Sequence, residues 1–257
     1  MKITLLGTGT SQGIPVIGCD CKACMSNDNR DDRLRSGVLV ESNGTNILID
    51  TGPDLRQQFL KLNIRHINGV LYTHEHNDHV AGLDDIRPFN FIQKKDIPFY
   101  GLPRVLKDIE HRFSYVFTKS PYPGSPRATL HEIGAGENFF LNELEVTAIG
   151  VMHGPLPILG YRFGDFSFIT DASLISEENR NLIKGSKVVV ISALQKEKHH
   201  SHFTLRQAIE VIQEMEIEKA FLTHISHRMG VTKDWEQELP DNIFPAYDGL
   251  EIILNED

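Results

Sequence analysis

The chain has 257 residues, with 26 Lys+Arg against 35 Asp+Glu and a formal net charge of −9 at pH 7. That balance argues against bulk positive charge as a means of holding nucleic acid or an anionic membrane. No window approaches the roughly 18 consecutive apolar residues of a membrane span, and the length suits one large domain or two small ones whose core needs no disulfide support.

Residues 3–6 form a short apolar, β-prone run. The charged region, apolar run and cleavage site of a secretory leader are not seen, which points to the cytoplasm. Gly7, Gly9 and Gly13 follow. Their spacing matches neither the dinucleotide fingerprint nor the phosphate-binding loop, so it reads as a turn where backbone approaches a site. Next come all three cysteines, Cys19, Cys21 and Cys24. An odd, crowded set is a poor disulfide framework and a good metal-ligand set. Asn43-Gly44 between apolar runs at 38–41 and 46–49 is a hairpin signal. Leu55, Phe59 and Leu62 recur at helical spacing behind Pro53 and predict a helix over 53–62. Residues 69–72 form a further short buried strand.

Farther along, Phe113, Tyr115, Phe117 and Tyr122 precede Pro123-Gly124. Core or lid packing is the plain reading of them, and a stacking platform for a nucleobase the sharper one. An apolar strand runs over 144–151. Gly164-Asp165 then splits 161–163 from 166–169 as a second two-residue hairpin. A helix follows over 176–183. The near-continuous β-branched run at 187–191 marks a strand buried on both faces. An amphipathic helix over 204–214 and a strand at 220–222 complete the plan, and Trp235 lies in an acidic, helix-like tail. Residues 47–50 and 168–171 each run a hairpin strand into an Asp. Residues 70–74 and 220–224 each run a strand into Thr-His. The pattern reads as a degenerate duplication: two β-rich halves, sheets face to face, helices outside. Polar residues at strand ends would then converge on one edge.

His74, His76, Asp78 and His79 crowd into six residues between a buried strand and a helix. Imidazole suits Zn, Fe, Ni or Cu, and carboxylate admits Mn. Adjacent Asp78 and His79 cannot both aim at the point that His74 and His76 share, so the spacing suggests two ions side by side. His153, Asp171 and His224, each at a strand end, would complete two three-ligand sets with a carboxylate bridge.

His-x-His-x-Asp-His with a distant His, Asp and His resembles the signature of the metallo-β-lactamase fold superfamily. The resemblance covers most of the chain, from the opening glycines to Asp248-Gly249, and residues 1–257 are expected to form one domain. It implies an α/β fold, an αββα sandwich of two mixed sheets flanked by helices. It also implies that His74, His76 and His153 hold one ion, that Asp78, His79 and His224 hold the other, and that Asp171 bridges. Asp50 matches the superfamily's strand-end Asp and would orient ligands without binding metal.

The thiols narrow the choice. Their spacing favours a structural tetrahedral zinc that lacks one partner, and His227 is the best fourth ligand. Cys-x-Cys-x-x-Cys joined to Thr-His-Ile-Ser-His is similar to the PhnP-type phosphodiesterases of the superfamily, and more distantly to the tRNA 3′-end endonucleases. In that branch a His before a helix acts as general acid. His202 matches its place, with His199 and His200 beside it as alternatives. The resemblance implies hydrolysis of a small cyclic or nucleotide-like phosphodiester. Two divalent ions (Zn or Mn) would lower the pKa of a water, Asp78 would act with them, and His202 would protonate the leaving oxygen. A structural Zn would complete the cofactors. A homodimer is expected on the resemblance, and neither a stable nucleic-acid complex nor a membrane partner. The rivals are a thioester or lactam hydrolase of the same fold, a tRNA-processing nuclease, and a non-catalytic metal-binding module. The filled ligand positions speak against the last, and the negative charge and lack of a basic protruding arm against the nuclease.

Overall fold

The computed structural model describes residues 1–119 and 122–255. Strands β1 (Lys2–Gly7), β2 (Gly37–Ser42), β3 (Thr45–Ile49), β4 (Gly69–Leu71), β5 (Ile97–Gly101) and β6 (Ala128–Glu132) lie side by side in chain order in one sheet. Strands β7 (Asn138–Leu141), β8 (Leu144–His153), β9 (Leu156–Phe163), β10 (Phe166–Ile169), β11 (Val188–Ser192), β12 (Lys219–Thr223) and β13 (Ile243–Pro245) do the same in a second sheet. The chain then returns through β14 (Glu251–Ile253), which pairs antiparallel with β1. Helices α1 (Leu55–Leu62), α2 (Asn77–Val80), α3 (Arg87–Gln93), α4 (Pro103–Arg112) and α5 (Ser114–Phe117) lie between strands of the first sheet in sequence. Helices α6 (Glu177–Ile183), α7 (Leu205–Glu214) and α8 (Thr232–Trp235) do so in the second.

Side-chain alternation sorts the apolar runs into three layers. Val38, Val40, Ile47 and Ile49 meet Phe166, Phe168, Val188 and Val190 between the sheets. Their neighbours Leu39 and Leu48 turn outward and pack with Leu55, Phe59, Val105 and Ile109 of α1 and α4. Val189 and Ile191 turn outward in the second sheet and meet Leu205, Ala208, Val211 and Ile212 of α7. Both faces of these strands are covered, which is why their sequences read as unbroken apolar runs. This is the expected αββα sandwich. Among the described residues, no helix is long and apolar enough to cross a membrane.

The two sheets repeat one pairing plan. β14–β1–β2–β3 are antiparallel neighbours and β3–β4–β5–β6 parallel ones. β7–β8–β9–β10 are antiparallel and β10–β11–β12–β13 parallel. The duplication is therefore architectural, and Asp50 after β3 corresponds to Asp171 after β10. The second half of the expected match is corrected. β4 adjoins β3, but the strand beside β10 is β11, so the Thr-His after β4 and the Thr-His after β12 stand at different steps of the repeat.

Local capping explains the helix bounds. Thr204 caps α7 in a reciprocal box with Gln207, and the Ser176 side chain accepts from Asn179 N at the start of α6. α1 starts two residues later than the position of Pro53 predicts. The Asp54 carboxylate faces Arg35, accepting from its backbone N–H and pairing with its guanidinium, and it accepts from the Gln57 side chain of α1 but caps no backbone N–H of that helix. Phe113 and Phe117 pack partly buried against the helix-side core, as the plain reading of that stretch expects. Tyr115 donates to Asp84 at 2.6 Å, and Tyr122 is exposed. Trp235 is buried in the core beneath α7.

Candidate metal centre

Strand ends assemble the site. Asp50 follows β3, the His-rich loop follows β4, His153 ends β8, Asp171 lies just beyond β10 and His224 follows β12. Asp50, Asp171 and His224 hold φ of 62°, 55° and 55°. That left-handed backbone is uncommon for residues with a Cβ and concentrates at functional sites. His74, Asp78, His79, His153, Asp171 and His224 are buried, while His76 lies at the surface side. Burying so many polar groups is costly unless something pairs with them.

Potential ligand atoms lie within 4.8 Å of one another in several sets: His74 with His76 and His153, Asp78 with His79 and His224, and Asp171 with His74 and His79. Asp171 reaches both ligand sets: its carboxylate groups within 4.8 Å with His74 and with His153 of the first, and lies 3.3 Å (Oδ2) from His79 Nε2 and 3.1 Å (Oδ1) from His224 Nε2 of the second. Two observations show that the residues fit cations. His74 Nε2 and His76 Nδ1 face each other at 3.0 Å. His79 Nε2 and His224 Nδ1 are buried with no hydrogen-bond partner, the kind of orphan that calls for an explanation. Burial holds the His74, His76 and His224 imidazoles below their usual range, and a ligand imidazole must be neutral. Burial pushes the Asp78 and Asp171 carboxyls up. Opposite charge at His79 for Asp78, and at His224 and His79 for Asp171, outweighs it and keeps both low. Neutral nitrogens at His74, His76 and His224 and ionised oxygens at Asp78 and Asp171 suit zinc or manganese. Burial would lower the His79 imidazole, but Asp78, Asp50 and Asp171 outweigh it and hold it well above its usual range, so an ion there would displace its Nε2 proton.

Partners behind the cluster fix its orientation. Asp50 Oδ1 accepts from Thr73 N, and Oδ2 accepts from Thr73 Oγ1 at 2.8 Å and lies 2.6 Å from His79 Nδ1. The His79 Nδ1–H therefore points at Asp50, which leaves Nε2 facing Asp78 and Asp171. His153 Nδ1 donates to the Ser201 carbonyl at 2.8 Å, which frees its Nε2 in the same way. Asp50→Asn removes an acceptor and sets an amide N–H against the His79 N–H. Competition with a chromophoric chelator is expected to show ~10–100-fold weaker binding of one ion; unchanged affinity would deny Asp50 this role.

Of the three clustered histidines, His202 abuts the site. Its ring stacks on His224 at 5.1 Å and meets His153 at 4.5 Å, with Nδ1 3.7 Å from Asp171 Oδ1. Burial pushes it down to about 3, and the neighbouring His224 adds to this. His199 is one ring farther out, 5.0 Å from His202, and packs on exposed His200.

The thiols form a second centre. Cys19, Cys21 and Cys24 Sγ lie 3.2, 3.5 and 3.7 Å from His227 Nδ1. A tetrahedral zinc with bonds of about 2.3 Å to sulfur and 2.0 Å to nitrogen requires edges near 3.5 Å, so the four groups fit that ion. The Cys21 thiol is lowered to about 6, chiefly by a hydrogen bond from the Cys24 backbone, whereas burial pushes the Cys24 thiol up to about 11. The opening glycines join the centres. Gly9 bridges to Ile225, between His224 and His227, and a Cβ on Gly9 would meet the Arg33 carbonyl at 2.9 Å.

The supporting residues Thr73, Ser201, Glu75 and Arg104 carry no spacing signal. Thr73 alone was open to notice, as the polar residue between the strand and His74.

Residues 45–225 match the model of the beta-lactamase superfamily domain. The chain belongs to this superfamily and has the metallo-β-lactamase fold. Within it, the chain belongs with the PhnP family. The crystal structure of a new diphosphatase from that family superposes with a TM-score of 0.92 at 34% identity, covering 99% of this chain and 98% of that one. Zinc-bound PqqB from Methylobacterium extorquens shares the fold, with a TM-score of 0.81, 20% identity, and coverage of 99% of this chain and 100% of that one. An octanoyltransferase of Porphyromonas gingivalis is 41% identical over 258 residues, 100% of this chain and 52% of that protein. The chain spans about half the length of the curated relatives it matches.

Proposed function

We propose that the chain is a cytoplasmic phosphodiesterase that uses two divalent ions, zinc or manganese, to hydrolyse a small cyclic or nucleotide-like phosphodiester. The placement of Asp171 supports this most strongly, since its carboxylate lies within 4.8 Å of ligand nitrogens of His74 and His153 and within 3.3 Å of those of His79 and His224. His74, His76 and His153 would hold one ion, Asp78, His79 and His224 the other, and Asp171 both. When bound, the ions supply a water of lowered pKa and positive charge against the phosphoryl oxygens. The protein's part is orientation and a proton. Asp50 and Ser201 fix which nitrogens of His79 and His153 face inward. His202 flanks the cluster beside His224 and His153, where it can protonate the leaving oxygen. Burial holds it neutral, so as an acid it would first take up the proton that the attacking water gives up and then pass it to the leaving oxygen.

Acyl transfer, the activity in the name of the Porphyromonas gingivalis relative, has less support. That relative holds as much sequence again outside the match, and all three cysteines of this chain lie in the cluster with His227. The test is turnover by the zinc- or manganese-loaded protein of bis(p-nitrophenyl) phosphate and 2′,3′-cyclic nucleotides, beside an acyl-glutathione thioester, a chromogenic lactam and a precursor tRNA. The diesters are expected to turn over. Hydrolysis of the thioester or lactam alone, or cleavage of tRNA alone, would overturn the reading.

A further inference from the structure

The His-rich loop is laced to the second sheet by β9, rung by rung. Tyr161 Oη donates to the Tyr72 carbonyl at 2.6 Å, and Leu159 N donates to the Thr73 carbonyl at 3.0 Å. Alternate residues of β9 thus meet successive residues of the segment that leads into His74. The next alternate residue is Pro157, which has no N–H to offer. Here Arg104, in the first turn of α4, fills the gap. Its Nη2 donates to the Pro157 carbonyl and lies 3.2 Å from Glu75 Oε2, and its Nη1 is 3.4 Å from Glu75 Oε1.

Glu75 stands between His74 and His76. His74 and His76 reach the same cluster, and in extended chain the residue between two such groups points the other way. Pinning Glu75 therefore resists rotation of the ligand pair. Pro157 is the β-partner of Met152, beside His153. One guanidinium thus ties the element bearing His74 and His76 to the strand pair bearing His153. These are the three imidazoles assigned to one ion, and His76 is the exposed one. Asp78, His79 and His224 have their own support, with Asp50 behind His79.

We infer that Arg104 is a positioning residue for one ion of the pair, setting the affinity of the His74–His76–His153 site through Glu75 and Pro157. Only a planar fork can serve both acceptors at once, so lysine is expected to be no substitute. The inference rests on the two-ion reading above, and its test separates the two. Zinc is titrated into the stripped protein against a chromophoric chelator, for the unaltered chain and for Arg104→Met, Arg104→Lys and Glu75→Gln.

Three zinc ions are expected in the unaltered chain. In Arg104→Met and Arg104→Lys one of the three is expected to bind ~10–100-fold more weakly, with the other two unchanged. Glu75→Gln, which keeps an acceptor but loses the charge, is expected to fall between. Three ions bound with unaltered affinity in every variant would overturn the role of Arg104 and leave the two-ion reading standing. Loss of all three ions together would also overturn it, by showing general unfolding. Fewer than two ions in the unaltered chain, counted beyond any that is lost in His227→Ala, would overturn both.

Discussion

Asp171→Ala is expected to cut turnover of bis(p-nitrophenyl) phosphate by more than about 10⁴-fold, beyond the ~10²–10⁴-fold that removal of a general acid costs. His202→Ala is expected to fall within that smaller range. The order follows from geometry. Among the described residues, the Asp171 carboxylate groups with His74 and His153 as well as facing His79 and His224, and its backbone is held at a positive φ to put it there. Without it the histidines and Asp78 remain, but the carboxylate that would serve both ions is gone, and both metal binding and activation of water are expected to suffer. His202 contributes one proton to one step. Single-turnover rates on the metal-loaded variants give the comparison directly. Asp171→Ala is also expected to bind less metal, whereas His202→Ala is expected to keep its metal. Equal, mild losses in both variants would contradict these roles.

His227→Ala is expected to lower stability far more than turnover. The four groups Cys19, Cys21, Cys24 and His227 join the N-terminal loop to the segment after β12. A ligand bound only by the folded state stabilises it by mass action, by about 4 kcal/mol when free zinc is about a thousandfold above its Kd. For a chain of this size that corresponds to roughly 8–16 °C in Tm. The neighbouring segment keeps its own supports: Ile225 N donates to the Thr8 carbonyl and Ser226 N to the Leu194 carbonyl, both at 2.9 Å. His224 therefore stays in place. Calorimetry with elemental analysis is expected to show a large fall in Tm and two ions where the unaltered chain has three. An unchanged Tm would mean that the thiols hold no structural ion.

The site was more legible in the sequence than the sheet edges around it. His74, His76, Asp78 and His79 are neighbours in sequence, and so are the three cysteines, so spacing alone exposes both centres. Asp50, Asp171 and His224 could be picked out because strands ending in Asp or His are visible as apolar runs that stop at a polar residue. Arg104 had no such mark. Its partners are 29 and 53 residues away, and only the packed sheets bring them together. The order of the repeat misled for a related reason. Strand–Thr–His is a local resemblance, while the equivalence of strands is set by their places in the two sheets, which hydrogen bonding between distant segments decides. Trp235 was hidden by its company: acidic neighbours make the stretch read as a surface tail, yet one face of α8 closes the core beneath α7.

The most direct test strips the protein of metal, keeps the thiol centre loaded, and adds zinc or manganese stepwise while hydrolysis of bis(p-nitrophenyl) phosphate is followed. Turnover is expected to be absent at the start and to reach its full value only when two further ions per chain have bound. Turnover by the stripped protein, or none after two ions have bound, would contradict a phosphodiesterase built on the His74–His79 loop and Asp171.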